Sequence, residues 1–265
     1  MSLLTGRAML DNQYVKAAVI LFRCAIATSL LVHILSWALW SPSLFYLQSF
    51  SVWAHQCGQA LAGYVLGYNM QSISLLKLAG GLKEWWPNSA EWKQFIFASA
   101  GPMSTMMVFL LLIIGSSFLL RRCWLLCLVF IVPCIITLPL MGTQTDFIIV
   151  GGYTLVLFFL LMVGPWQAIY FVLQFIGFGM LIDVIVYGLI IPLFIDCLWP
   201  FCEILRSDEM LMGQITHLPC WVWKALFSTI QFLLGTYSLK VSLWVLRTKG
   251  TVLSLMPIGQ ADITQ

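Results

Sequence analysis

Apolar runs long enough to cross a bilayer alternate with short polar breaks along most of this chain. Runs at 17–40, 95–120, 124–141, 147–163, 167–195 and 220–246 each contain the roughly 17–25 residues that carry a helix across about 30 Å of hydrocarbon. A further run, 50–66, is less hydrophobic. It carries His55, Gln56 and Gln59 among Gly58, Ala60 and Gly63, a mixture that belongs inside a helix bundle rather than against lipid. Together these runs predict seven crossings. The run from 167 to 195 exceeds one crossing and contains Pro192, which predicts a tilted or bent helix, or a helix followed by a re-entrant piece.

Between the spans, the most polar internal stretch is 67–94, with Gly80, Gly81, Lys83, Glu84 and Glu91. Alternation around 70–78 suits a short strand or hairpin edge, and Trp85 and Trp86 suit a membrane interface. The stretch 201–217 reads as a polar loop. The first apolar run is too long for a signal-peptide core and no small-residue cleavage site follows it, so it is expected to remain as a span. With no repeat or linker to divide it, 1–265 is expected to form one membrane domain, with 67–94 as its extramembrane loop or hairpin.

Composition narrows the class. Of 265 residues 61% are apolar and 9% charged, with a mean hydropathy of +0.97, whereas soluble domains are about one-quarter charged. Such a chain cannot cover a water-facing surface, and it lacks the composition of a disordered segment, a coiled coil or a disulfide-stapled module. The expected fold is therefore all-α: a polytopic transmembrane bundle of about 6–8 spans, integral to the membrane, with lipid as its first partner. A net charge of +3 with no basic stripe excludes nucleic acid. Seven crossings would place Arg7, Lys16, Lys77, Lys83, Lys93 and Arg206 on one side and Arg121, Arg122, Arg247 and Lys249 on the other. By the positive-inside rule the amino terminus then leans cytoplasmic.

The most informative segment is His55-Gln56-Cys57-Gly58-Gln59-Ala60-Leu61-Ala62-Gly63, a polar helical face followed by small residues. It resembles the zinc-binding helix of the site-2 protease family, intramembrane metalloproteases with the signature H-E-x-x-H-A-L-A. Two more segments follow in the family's order. Ala100-Gly101-Pro102 with Thr105 resembles A-G-P-x-x-N. Thr137-Leu138-Pro139 and Thr145-Asp146-Phe147 resemble N-L-x-P and T-D-G. The resemblance covers roughly 52–152 and implies a site-2-protease-like core there. It would make His55 and Asp146 metal ligands, Gln59 the second ligand position on the helix, and Gln56 the position of the general base.

The departures carry chemical weight. A glutamine amide does not titrate near neutral pH, so Gln56 cannot take a proton from metal-bound water. Gln59 offers a neutral carbonyl oxygen where the pattern supplies imidazole. By this resemblance catalysis should be lost and no tightly held cofactor is expected, zinc remaining possible. The implied work is non-catalytic: binding a transmembrane segment of another membrane protein, as a regulator, chaperone or assembly subunit. Alternatives stay open: an active zinc protease with a rearranged site, a structural or accessory subunit of a membrane complex, or a transporter. On the blander reading His55, Gln56 and Gln59 are interhelical hydrogen-bonding groups, and Asp146 is an N-cap. Arg23 and His33 in the first span and Asp183 and Asp196 in or at the end of the 167–195 run are further ionisable residues, and each needs a partner, a water-filled cavity or a route to the interface.

Overall fold

The computed structural model describes the backbone of residues 2–39, 42–68, 72, 73, 75, 90–186 and 208–255. Helices dominate: α1 (Ser2–Leu39), α2 (Pro42–Val65), α3 (Glu91–Leu110), α4 (Ser116–Phe118), α5 (Trp124–Thr137), α6 (Gln144–Val163), α7 (Trp166–Ile185), α8 (Asp208–Thr216) and α9 (Cys220–Leu255). Among the described residues five stretches are long and apolar enough to cross a membrane: Gln13–Leu35, Glu91–Phe118, Gln144–Val163, Trp166–Asp183 and Cys220–Lys249. The shorter apolar helix Trp124–Leu140 joins them. This is an all-α, multi-pass membrane bundle.

Contacts between helix ends fix which residues share a side. The guanidinium of Arg121 lies 4.2 Å from the Tyr14 ring centroid, and Tyr14 stands 5.2 Å from Trp166. Lys249 Nζ donates to the carbonyl of Phe118 at 2.7 Å. The start of α1, the turn between α4 and α5, the α6–α7 turn and the late part of α9 therefore meet at one end of the bundle, here the proximal end. At the opposite, distal end Phe95 packs on Trp223 at 5.3 Å and Tyr68 on Phe97 at 6.1 Å. The helices α1, α3, α5, α6, α7 and α9 thus alternate in direction, and α2 adds no net crossing.

That parity corrects the expected distribution of charge. Seven crossings set Lys16 and Arg121 on opposite sides, whereas the Arg121–Tyr14 contact puts them on the same one. The cause is α2. Its amide and glycine content lowered its hydropathy without revealing whether it crosses, because a buried helix and a spanning helix share that pattern.

Other boundaries differ as well. Helix α1 starts well ahead of the apolar run, and α8 replaces part of the expected polar loop. Met212 of α8 is fully buried, so this short helix owes its fold to packing rather than to length. In the stretch expected to hold a strand, the described residues form a single parallel bridge, Ile73 with Met141. The bend expected at Pro192, the interfacial Trp85 and Trp86, and residues 201–207 lie outside the described residues.

The core is pinned by a polar junction. Helix α3 passes into a π-helical turn at Leu111–Gly115, which disturbs the regular i to i−4 pairing. There the Ile113 carbonyl accepts from Gln174 Nε2, Ser117 Oγ and Ser242 Oγ, each at 3.0 Å. Gln174 also donates to Ser116 Oγ at 2.7 Å. Gly177 makes this junction possible, since a methyl group there would press into Ile113 and Leu112. One peptide group so ties α3 and α4 to α7 and α9.

Candidate functional site

Helix α2 is built to lie against α3. A side-chain carbon at Gly58 would collide with Ser104 and the Ala100 carbonyl, and one at Gly101 would run into the His55 ring. Small residues at these two positions let the backbones approach, the usual device of helix pairs in membranes. Ser104 then donates to the Ala54 carbonyl at 2.9 Å, and Thr105, buried, donates back to Gly101 O at 3.2 Å. Ala100, Gly101 and Ser104 therefore form the surface on which the motif helix rests, while Pro102 and Thr105 are buried and the Pro102 carbonyl accepts from Gln231 Nε2 of α9 at 3.5 Å.

His55 lies on this surface with its Nε2 2.7 Å from Oδ2 of Asp208, the first residue of α8 and 153 positions away in sequence. Both side chains are about one-quarter exposed (28% and 24%). Four residues on, Gln59 shares the His55 face by helical spacing and is buried. Gln56 is also buried, a step of about 100° around the helix from His55. Trp53 looks the other way: its indole N–H donates to Thr137 Oγ1 at 3.1 Å, and Thr137 donates to Pro133 O at 2.9 Å.

Asp146 takes a different position. Its backbone N–H donates to Thr143 Oγ1 at 3.1 Å, so Thr143 is the N-cap of α6 and Asp146 stands in the first turn. The N-cap role considered for Asp146 thus belongs to Thr143. The Asp146 carboxylate is fully buried; Oδ1 accepts from the Leu75 N–H at 3.1 Å, and Oδ2 has no hydrogen bond from the described residues. It secures the segment after α2 beside the Ile73–Met141 bridge, where Ile73 N donates to Leu140 O at 2.6 Å. Pro139 is exposed in the 3-10 turn Leu138–Leu140, and Thr145 is half-buried.

The described side chains therefore place His55 with Asp208, and Asp146 with Leu75. Among the described residues no three His, Cys, Asp or Glu side chains converge as a metal site. A catalytic zinc needs three protein ligands at about 2.0–2.3 Å plus an open position for water. Here one imidazole nitrogen is taken by a carboxylate, one ligand position is an amide, and the aspartate of the motif is bonded to backbone. Among the described residues this donor set falls short of three such ligands.

No motif or spacing in the sequence points to Asp208. The signal that could have raised it is faint: an acidic pair, Asp208-Glu209, in a chain with few acids. Of the polar residues expected within spans, His33 and Asp183 meet. His33 Nε2 is 2.9 Å from Asp183 Oδ1, and Nδ1 is 2.7 Å from Ser29 O, with both side chains under one-tenth exposed. Arg23 is exposed on the outer face of α1.

A multi-pass helical bundle, with its motif helix laid on an Ala-Gly-Pro helix and a capped Thr-Asp turn beyond, defines the class of membrane-embedded metalloprotease-like proteins. The chain belongs to the Peptidase M50B-like family, of the site-2 protease type, whose model matches residues 20–238. The match runs well past 52–152, taking in most of the first apolar run and about half of α9. Comparison with curated proteins and with solved structures gives no match.

Proposed function

We propose that this chain is a non-catalytic member of its family that binds a transmembrane segment of another membrane protein, as a regulator, chaperone or assembly subunit. The observation that carries the reading is the pair of amides, Gln56 and Gln59, in a helix whose packing partner keeps its small residues. An amide neither accepts the proton of a water nucleophile nor replaces imidazole as a strong zinc ligand. A second reading, a hydrolase with a rearranged site, draws on Asp208, which supplies an acid beside His55.

Metal analysis of the purified native chain, with a transmembrane reporter peptide as substrate, separates the two. Substoichiometric zinc and no cleavage are expected. Stoichiometric zinc with hydrolysis that stops in the Asp208→Asn variant would establish the second reading instead.

The proximal end supports an orientation. Of the cations on described helices, Lys16, Arg121, Arg122, Arg247 and Lys249 gather there, while Lys93 and Lys224 stand toward the distal end. Under the positive-inside rule the proximal end, with the start of α1, faces the cytoplasm and His55 faces away from it. Labelling of single cysteines introduced at Lys16 and at Gln214 with an impermeant maleimide tests this: in intact cells Gln214→Cys should label and Lys16→Cys should not.

A further inference from the structure

The proximal end is more than a set of scattered cations. Arg121 lies over the Tyr14 ring, Tyr14 packs on Trp166, and the Trp166 carbonyl accepts from Cys123 Sγ at 3.6 Å. Trp166 continues to Tyr170 at 6.5 Å. Arg121 and Arg122 sit in a 3-10 turn, Leu120–Arg122, whose only buried side chain is Leu120, so both arginines stay exposed while the turn is anchored. Lys249 reaches the same turn from α9, bonded to the carbonyls of Ser117 and Phe118 at 3.2 and 2.7 Å. Exposed Trp124 begins the next helix, two residues after Arg122.

We propose that this ledge, centred on Arg121 and Arg122 with Tyr14, Trp124, Trp166 and Lys249 around them, binds the headgroup of an anionic phospholipid. Charge complementarity selects the occupant. Lys16, Arg121, Arg122, Arg247 and Lys249 face that end; of the acidic residues in described backbone, Asp11 alone lies near it. A guanidinium presents paired donors to phosphate oxygens, and aromatic rings at this depth suit the level where headgroup meets acyl chain. The stack on Tyr14 limits the rotamers of Arg121, so less freedom is lost when a lipid binds. A zwitterionic headgroup offers the same phosphate but carries a compensating cation, and it gains less from a ledge of one sign.

The test uses the full chain in detergent, titrated with phosphatidylglycerol, phosphatidylcholine or inorganic phosphate. Thermal unfolding is followed, and retained lipid is counted by native mass spectrometry. Phosphatidylglycerol should raise the midpoint and be retained, phosphatidylcholine less so, and inorganic phosphate not at all. Each neutralised charge should weaken retention by about fivefold. R121Q/R122Q should therefore lose most of the phosphatidylglycerol increment with little change in phosphatidylcholine. R122Q alone leaves the Tyr14 stack intact and guards against a folding defect in the double variant. In the native chain the increment should shrink as salt shortens the screening length. Equal stabilisation by the two lipids, a matching effect of inorganic phosphate, or an undiminished increment in R122Q would each overturn the proposal.

Discussion

Two histidine–carboxylate pairs stand in this bundle with nearly the same contact distance and very different surroundings. His33–Asp183 joins α1 to α7 at 2.9 Å with under one-tenth of either side chain exposed, and the second imidazole nitrogen is engaged by the Ser29 carbonyl. His55–Asp208 joins α2 to α8 at 2.7 Å with about one-quarter of each exposed. In the first pair Nδ1 must donate, because its partner is a carbonyl. The Nε2–Oδ1 contact then holds one shared proton and leaves the pair neutral overall, the state that hydrocarbon tolerates. The second pair is less enclosed. Identical chemistry thus serves as a fixed clasp in one place and as an available contact in the other, and burial makes the difference.

The sharpest way to break this contrast is Asp183→Ala, which strands His33 among buried groups. It should cost about 2–3 kcal/mol in a denaturation experiment in micelles, whereas Asp183→Asn, which keeps a hydrogen-bonding group, should cost clearly less. Next comes Gly101→Ala. The added methyl meets the His55 ring, so the ring must leave its bed, at about 1–3 kcal/mol. His55→Ala in that background should recover part of the loss, and failure to do so would mean the clash falls elsewhere. The smallest effect belongs to Asp208→Asn, expected at no more than about 1 kcal/mol because water compensates an exposed pair. A double-mutant cycle on each pair puts the comparison on one scale: the coupling for His33–Asp183 should exceed that for His55–Asp208, and equal values would remove the distinction.

The membrane class and most spans were legible from the apolar runs, since hydrocarbon thickness imposes a length that few soluble segments reach. The family was legible from residue order, as 55–63, 100–105 and 137–147 keep the pattern despite substitution. The topology of α2 was not, because polarity reports burial without direction. Nor was the His55–Asp208 contact: pairs separated by 153 positions leave no local spacing to read. The motif aspartate shows the limit of position by resemblance. Asp146 stands where the pattern puts a ligand, yet its environment is set by Thr143 and Leu75. Helix α8 was missed because nine residues are too few for periodicity to emerge above composition.

The π-helical turn has a mechanical consequence. With Ile113 O accepting from side chains of α4, α7 and α9, sliding α7 or α9 along its axis would break the bond that helix makes to this carbonyl. That half of the molecule should respond to force as a single strut.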